Sequence, residues 1–410
     1  MPGGHNCVKG IARWRHNKSM KRVALPLLLA SSLPAADSRI VTGMNAFTAA
    51  SYEHLAKGEA NLILSPMNIA TALSMVWSGA RGRTADQIGT VLHQQHDATY
   101  DSELAALLSS LAGAGNSGAN QLLTANGVWT QKDLPIEAAF QKVLADDYHA
   151  PLVPLDFKGN AESGRAEINQ WVEDHTKSRI SNLFPPGSID SRTRMVLASA
   201  IYFLGKWQNP FKTAADQGTF RLVSGGTRRA DFMQQTARFN YSQTLDRQVL
   251  ELPYAGTGIA FDIILPRTAD GLASIEHSIR SGDVTTWLGS LAVRNVHVTM
   301  PKFRVESQFS LKEALSRMGM PLAFSDHADF SGIDGKGQLA ISEAMHKAYV
   351  DVTEEGTEAA AATGLTMRAT AMIKPEPPIE FLADHPFLFL IRDTRSGVIL
   401  FIGRLMDPVR

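Results

Sequence analysis

Helical spacing dominates the first half of the chain, where apolar residues recur three and four positions apart. The segment MNAFTAASYEHLAKG keeps this period and ends at Gly58. SPMNIATALSMVWSGARG adds an N-cap at Ser65, a proline at the first helical position and closing glycines. The same period predicts helices in TADQIGTVLH, YDSELAALLSSLAGAG, FQKVLADDYHA and AEINQWVEDHTKS. QLLTANGVWTQ is typical of a strand, and MVLASAIYFLGKW predicts a strand buried on both faces.

Strand patterns dominate the second half. Short β-branched and aromatic runs are separated by Gly, Pro and Asn: QVLELPYA, IAFDIILPR, VRNVHVTMPKFRVES, KAYVDVTEE, PFLFLIRD and VILFIGRL. One helix, SLKEALSRMGM, interrupts them. Helices followed by strands, without βαβ alternation, predict an α+β protein with large antiparallel sheets. No linker or repeat divides residues 37–410, which are therefore expected to form a single domain.

The composition allows a large core but indicates no charged partner. Of the 410 residues, 44% are hydrophobic and 20% are charged. The 40 basic and 40 acidic residues cancel, which gives no electrostatic reason to expect a nucleic-acid partner. Cys7 is the one cysteine, so an intrachain disulfide framework is excluded and packing must hold the fold together.

Residues 1–36 form a basic leader that contains a candidate signal peptide. Met20, Lys21 and Arg22 precede VALPLLLASSLPAA, an apolar run that resembles a secretory signal with cleavage near Ala36. The run is too short to span a bilayer, which takes roughly 20 apolar residues. We therefore expect a secreted or periplasmic protein with no membrane partner. The alternative is a disordered basic leader.

Sequence motifs give no indication of catalysis. GAGNSG matches the dinucleotide-binding pattern G-x-G-x-x-G, but it follows a predicted helix and precedes a predicted strand, the reverse of the required order. His93 and His96 have no third ligand nearby and are more typical of exposed side chains than of a metal site. G-x-S-x-G, H-E-x-x-H and Walker sequences are absent. We expect no enzymatic activity, no cofactor and no metal.

The segment TEEGTEAAAATG, residues 353–364, is unusual in its small side chains. A linker gains nothing from alanine, whereas a strand that inserts into a packed sheet requires small residues, because overpacking costs about 1–3 kcal/mol per site. Alternate residues of such a strand face opposite sides. One side carries Thr357, Ala359, Ala361 and Thr363, and the other carries Glu358, Ala360, Ala362 and Gly364.

Several segments, taken in order, resemble the serpin family. EEGTEAAAATG is similar to the hinge of the reactive loop of inhibitory serpins, and NLILSPMNIATALSMVWSGARGRTADQI to the family's second helix. ASAIYFLGKWQNPF is similar to its central strand and tryptophan turn, and HPFLFLIRDTRSGVILFIGRLMDP to its C-terminal strand pair. FSGI and EAMHKAYVDVTEEGTEAA lie in the expected order between them. The resemblance covers about residues 38–410 and implies the serpin fold, with an exposed reactive loop at about residues 354–378.

The resemblance implies a suicide-substrate inhibitor of serine, and in some members cysteine, endopeptidases. The protease attacks one loop bond and forms a covalent acyl-enzyme with its own catalytic groups. The cleaved loop then inserts into the main sheet from about Gly356 onward, so the uncut monomer is metastable. The hinge residues are Glu354, Gly356, Thr357, Glu358, Ala359, Ala360, Ala361, Ala362 and Thr363. The alternative is a non-inhibitory serpin acting as a carrier, chaperone or storage protein.

The family's usual reactive bond follows the seventeenth residue counted from the hinge glutamate. With Glu354 as the first residue, this count reaches Thr370, so the bond Thr370–Ala371 is the first expectation. A threonine there favours elastase-like or subtilisin-like targets. The alternative bond, Arg368–Ala369, suits a trypsin-like pocket with a buried acid.

Family positions that control insertion map onto single residues. His346, Ser65 and Asn68 match the sheet-opening region, but the family usually has serine at position 68 and asparagine at the position of Ser199. We hypothesise that Asn68 and Ser199 are close and have exchanged the amide and the hydroxyl of a network with His346. Independent drift at the two sites is the alternative.

The resemblance also marks the point where the loop joins the sheet. Trp207, Lys302 and Glu354 match this point, and Lys302 and Glu354 are expected to form an exposed ion pair. Heparin-binding members carry a basic helix where this chain has HQQHDATYDSELAALLSSL, which lacks Lys and Arg. Heparin activation is therefore not expected.

Overall fold

The computed structural model describes residues 39–118, 120–279, 283–357 and 376–408. All of these residues belong to one unit, Ala35–Arg410. The basic leader, residues 1–36, lies outside the described residues, so its signal peptide stays a prediction. Within the described residues, no helix is both long and apolar enough to cross a membrane.

All the helices predicted in the first half are present, and the second half has more helix than predicted. Besides α9, which matches SLKEALSRMGM, the second half forms α7, α8 and α10. The sequence patterns did not indicate these three helices, which have eight, seven and four residues. The helices are α1 (Arg39–Leu55), α2 (Pro66–Trp77), α3 (Gly82–Leu92), α4 (Tyr100–Gly115), α5 (Ala138–Asp146), α6 (Phe157–His175), α7 (Leu272–Ile279), α8 (Asp283–Gly289), α9 (Lys312–Met318) and α10 (Ser331–Asp334).

The predicted strands are also present, together with β1, β3, β5 to β8 and β15, which the sequence patterns did not indicate. β8 alternates weakly because polar residues such as Gln234 and Gln235 interrupt its apolar positions. The strands are β1 (Leu62–Leu64), β2 (Gln121–Gln131), β3 (Leu152–Leu155), β4 (Met195–Lys206), β5 (Lys212–Thr213), β6 (Gly218–Arg221), β7 (Thr227–Ala230), β8 (Phe232–Gln243), β9 (Arg247–Pro253), β10 (Ile259–Pro266), β11 (Ala292–Pro301), β12 (Phe303–Ser310), β13 (Glu343–Val352), β14 (Gly356–Thr357), β15 (Ile379–Leu382), β16 (Phe387–Asp393) and β17 (Ile399–Leu405).

Two large sheets organise these strands. In one sheet the order is β1-β17-β16-β10-β9-β8-β11-β15, and β5 pairs with β8. The other, here called the main sheet, has the order β12-β13-β14-β4-β2-β3. A two-stranded sheet, β6-β7, completes the set in the described residues. Most pairs are antiparallel, but β13 and β4 run parallel to each other at the centre of the main sheet.

Strand β4 separates two hydrophobic clusters, which explains its almost entirely apolar sequence. Leu197, Ile201 and Phe203 point into the larger cluster. Val196 and Ala200 point to the opposite face, into the cluster that includes residues of α6. Because both faces of β4 are buried, the strand tolerates few polar residues, and Ser199 is therefore a conspicuous exception.

Candidate functional site

The hinge begins inside the main sheet. The strands β13 and β4 pair directly with each other, from Glu343 opposite Val196 to Tyr349 opposite Tyr202. At the C-terminal ends of β13 and β4, the short strand β14 lies between them and runs antiparallel to both. Insertion was expected to begin near Gly356 after cleavage, but the uncut chain already pairs Gly356 and Thr357 with the sheet. Any further insertion must therefore start at position 358.

Gly356 is required by a close approach of two backbones. Its φ of 153° is rare for residues with side chains, and a Cβ at this position would lie 1.9 Å from the carbonyl oxygen of Gly205. A Cβ on Gly205 would in turn meet rings of Phe203 and Tyr254 at 2.6 Å. The two glycines therefore let β14 approach β4 closely enough to pair with it.

Thr357 is fully buried and is held by a tyrosine. Its hydroxyl lies 2.6 Å from the hydroxyl of Tyr254, and the Tyr254 ring stacks on Trp207 with ring centroids 4.6 Å apart. Burial raises the pKa of Tyr254 well above its usual value, so its hydroxyl stays protonated and available for this bond. No sequence motif indicates Tyr254, because this residue joins the site only through tertiary packing.

Trp207 fastens the turn between β13 and β14. Its indole N–H donates to the carbonyl of Thr353 at 2.9 Å, and its backbone N–H donates to the carbonyl of Glu355 at 2.9 Å. The backbone N–H of Phe211 donates to the carbonyl of Glu354 at 2.8 Å. Trp207 and its neighbours thus hold the chain where it leaves β13 and turns back into the sheet.

Lys302 and Glu354 form an ion pair at the same turn. Lys302 Nζ lies 3.1 Å from Glu354 Oε1, and the Thr213 hydroxyl donates to the same oxygen at 2.7 Å. The pair was expected to be exposed, but its side chains are only 14% and 23% accessible. Burial opposes ionisation of Glu354, yet hydrogen bonds from Thr213 and Lys302 outweigh it and lower the pKa of this carboxyl.

Breaking this pair should loosen the turn without removing the hinge. We expect Glu354→Gln and Lys302→Met each to lower the free energy of unfolding by about 1 kcal/mol. This value is near the upper end of the range for surface ion pairs because the pair is largely buried. Both variants should form loop-sheet polymers faster than the parent on mild heating, as measured by native gel electrophoresis. Lys142→Met, which breaks an exposed pair with Asp146 on α5, is the control and should polymerise like the parent.

The sheet-opening cluster, Ser65, Asn68, Ser199 and His346, lies at the centre of the main sheet. The Asn68 side-chain amide donates to Ser199 Oγ at 2.9 Å and to the carbonyl of Ala200 at 3.2 Å. Ser199 Oγ lies 3.0 Å from His346 Nδ1. Asn68 and Ser199, the two residues of the hypothesised exchange, are therefore in contact and connect α2 to both central strands.

Asn126 extends this cluster, and no motif in the sequence marks it as a site residue. It lies opposite Ser199 in the ladder between β2 and β4, and its side-chain amide donates to Asn68 Oδ1 at 2.9 Å. The one sequence signal is a polar residue within the otherwise apolar run LLTANGVW. The pairing register that brings Asn126 to Ser199 is a long-range feature.

His346 is buried and neutral, and its two nitrogens have different roles. The backbone N–H of Ser65 donates to Nε2 at 3.0 Å, so the ring proton is on Nδ1, which donates to the carbonyl of Ser199 at 3.0 Å. Burial lowers the pKa of His346 to about 3, although the bond to Ser199 opposes this shift. Ser65 also caps α2 by accepting from the backbone N–H of Asn68 at 3.2 Å.

This histidine should make the folded protein less stable in acid. The unfolded chain binds a proton on His346 below about pH 6.5, whereas the folded chain binds it only below about pH 3. Stability is therefore expected to rise with pH throughout this window, by up to about 1.4 kcal/mol per pH unit. Urea unfolding of the parent and of His346→Gln between pH 4 and pH 6 measures the difference.

The comparison with His346→Gln separates the effect of the histidine on stability from that of Asp262, which changes with pH in the opposite direction. Burial raises the pKa of Asp262 to about 7, and this carboxyl binds its proton more readily in the folded state, so it favours folding at lower pH. Asp262 is unchanged in the variant and cancels in the comparison. Equal pH slopes for parent and variant would contradict the assignment of His346.

Several predicted site residues lie outside the described residues. They include the rest of the hinge and both expected reactive bonds: Glu358, Ala359, Ala360, Ala361, Ala362, Thr363, Arg368, Ala369, Thr370 and Ala371. Among the residues that are described, no group of three or more His, Cys, Asp or Glu side chains is placed to hold a metal ion.

Known proteins share both the sequence and the fold. The serpin (serine protease inhibitor) family model matches residues 42–408. The leukocyte elastase inhibitor of Bos taurus is 40% identical over 359 residues, covering 85% of this chain and 93% of that protein. Serpin48 of the insect Tenebrio molitor has a TM-score of 0.81 at 34% identity, covering 90% of this chain and 98% of that one. Uncleaved ovalbumin has a TM-score of 0.81 at 28% identity, with 90% and 100% coverage. On the strength of the family match and the shared α+β fold, the chain belongs to the serpin family.

Proposed function

We propose that this chain is a suicide-substrate inhibitor of serine endopeptidases. The observation that carries the proposal is the position of Gly356 and Thr357 between the C-terminal ends of β13 and β4. These two parallel strands pair directly with each other over the rest of their contact. A strand that continued from Thr357 toward the N-terminal ends of β13 and β4 would separate these two strands and pair antiparallel with both. The main sheet can therefore gain a strand without changing its other neighbours.

The pairing register specifies where such a strand would go. Thr357 lies opposite Val352 and Gly205. In the same register, position 359 would lie opposite Val350 and Phe203, position 361 opposite Ala348 and Ile201, and position 363 opposite His346 and Ser199. Residues directly opposite in a ladder point to the same face of the sheet.

The face in question is already packed. Val350, Phe203, Ala348 and Ile201 all belong to the larger hydrophobic cluster. Residues 359, 361 and 363 would therefore point into this cluster, where the sequence supplies alanine, alanine and threonine. Small side chains enter such a core without the overpacking cost of about 1–3 kcal/mol per site. The inserted strand would form two new ladders of backbone hydrogen bonds, one with β13 and one with β4. Each hydrogen bond contributes about 0.5–1.5 kcal/mol of stability, and together they would drive the insertion.

The proposal is tested by trapping a protease. The chain is mixed with elastase, subtilisin, trypsin and chymotrypsin, and the products are analysed on denaturing gels and by mass spectrometry. We expect a covalent complex and a released C-terminal peptide beginning at Ala371, which corresponds to attack after Thr370. A peptide beginning at Ala369 would instead select attack after Arg368. Cleavage by every enzyme without a covalent complex would overturn the inhibitory function and favour the carrier or storage role.

A further inference from the structure

Two tyrosines face each other across the junction between β13 and β4. Tyr202 on β4 and Tyr349 on β13 lie opposite each other in the parallel ladder, and of all the pairs in that ladder theirs is the closest to β14. The two rings are stacked, with centroids 5.8 Å apart and planes inclined by 22°. Both side chains are buried in the hydrophobic cluster that includes residues of α6.

Each of these tyrosines also contacts an arginine. The guanidinium carbon of Arg179, in the loop between α6 and β4, lies 5.7 Å from the centroid of the Tyr202 ring. That of Arg304, on β12, lies 4.8 Å from the centroid of the Tyr349 ring. A guanidinium is attracted to the face of an aromatic ring, and stacked rings add stability beyond the area that they bury. The four residues, here called the tyrosine stack, therefore connect β4, β13 and β12.

A strand that enters the main sheet has to break the tyrosine stack. In the register set by Thr357, position 360 lies opposite both Tyr349 and Tyr202. Insertion there increases the separation of β13 and β4 from one strand spacing to two, which is about 4.8 Å more. The two rings would then no longer touch each other. The sequence places alanine at position 360, which is small enough to lie between them.

The tyrosine stack and the hinge contacts lie on opposite faces of the main sheet. Thr357 bonds Tyr254, which belongs to the larger hydrophobic cluster, whereas Tyr202 and Tyr349 belong to the other one. The bond to Tyr254 stabilises the part of the chain that is already paired with the sheet. The tyrosine stack instead opposes entry of the residues that follow it.

We propose that the tyrosine stack holds β13 against β4 in the uncut chain and sets the rate at which the cleaved loop enters the main sheet. Tyr202 and Tyr349 are positioning residues, because they act through the separation of the two strands. Slow insertion gives the protease time to release itself, so the stack also sets how many inhibitor molecules are consumed per protease trapped. This role rests on the proposed inhibitory function, whereas the contact between the rings does not.

Double-mutant cycles before and after cleavage test this role. Calorimetry gives the thermal midpoints of the full chain with Tyr202→Leu, with Tyr349→Leu and with both substitutions. In the uncut chain the rings touch, so the summed shifts of the single variants should exceed the shift of the double variant by roughly 2 °C. Once the loop has been cut by a protease that the chain does not trap, the rings are apart and the shifts should add.

Two further variants separate this role from a general loss of stability. Tyr241→Leu removes a buried tyrosine from β8, in the other large sheet, and leaves the contact between β13 and β4 intact. Its shift should add to that of Tyr349→Leu in both the uncut and the cut chain. Tyr349→Phe keeps the stacked ring and should retain its coupling to Tyr202.

The rate of insertion is tested by rescue of a slow variant. Ala361→Val adds volume at a position that would point into the larger hydrophobic cluster, and this overpacking is expected to slow insertion. Adding Tyr349→Leu to Ala361→Val should lower the excess of inhibitor consumed per protease trapped by about tenfold, because the stack no longer opposes strand separation. Adding Tyr241→Leu instead should give no rescue.

The outcomes distinguish this role from the inhibitory function itself. If cutting the loop leaves the midpoint of the parent unchanged and no protease is trapped, the inhibitory function fails, and the role of the tyrosine stack in insertion fails with it. If cutting raises the midpoint and proteases are trapped, the inhibitory function stands. Additive shifts in the uncut chain, coupling that persists after cleavage, or no rescue by Tyr349→Leu would then overturn the role of the stack alone.

Discussion

Replacing Thr357 with arginine is expected to convert the inhibitor into a substrate. Thr357 is fully buried against Tyr254, and an arginine there would place an unpaired charge in the larger hydrophobic cluster or expel β14 from the sheet. Burying such a charge costs several kcal/mol, and each 1.4 kcal/mol slows insertion about tenfold relative to release of the cleaved product. The number of inhibitor molecules consumed per protease inactivated should therefore rise by more than about tenfold.

The conservative variant separates charge from shape. Thr357→Ser keeps the hydroxyl that reaches Tyr254 and should inhibit like the parent, whereas Ala359→Glu, further along the hinge, should fail like Thr357→Arg. Denaturing gels report the trapped complex and the cleaved product in the same lane. A Thr357→Arg protein that traps protease as efficiently as the parent would show that the hinge does not enter the sheet as proposed.

The second large effect is expected from Asn68 and Ser199. Asn68→Ser removes the amide that bonds Ser199, Ala200 and Asn126, and Ser199→Asn adds volume next to His346. Each single substitution should lower the free energy of unfolding by about 1–3 kcal/mol, because buried polar groups lose their partners. The double variant restores the family's usual arrangement and should recover at least about 1 kcal/mol of the summed loss.

The test is a double-mutant cycle. Urea unfolding gives the free energy of unfolding of the parent, of both single variants and of the double variant. Asn68→Ser combined with Lys142→Met serves as the control pair, since Lys142 lies on α5 and bonds Asp146 instead. The control effects should add within about 0.5 kcal/mol. Additive effects for Asn68 and Ser199 as well would support independent drift at the two sites.

Local sequence signals predicted the elements that form the site. Ser65 before a proline marked the start of α2, and its side chain does accept the capping bond from Asn68. The almost entirely apolar run of β4 predicted a strand buried on both faces, and the two hydrophobic clusters that it separates explain this burial. The resemblance to serpins then indicated which residues of these elements come together.

Features that depend on long-range packing were not predictable in the same way. Tyr254 reaches Thr357 from a strand end about 100 positions away, and Asn126 reaches Asn68 only through the register of β2 and β4. The ion pair of Lys302 and Glu354 was expected to be exposed, but its side chains are only 14% and 23% accessible, and this burial is a property of the folded chain. The early pairing of Gly356 likewise depends on a second glycine, Gly205, in another strand.

The thermal midpoint before and after cleavage of the reactive loop tests the central claim most directly. The loop within residues 354–378 is cut by a protease that the chain does not trap, and unfolding is followed by calorimetry. Insertion of about 14 residues, at about 1 kcal/mol each, should raise the midpoint by roughly 10–20 °C for a chain of this size. A midpoint that stays the same or falls after cleavage would show that no strand enters between β13 and β4, and would contradict the proposed mechanism.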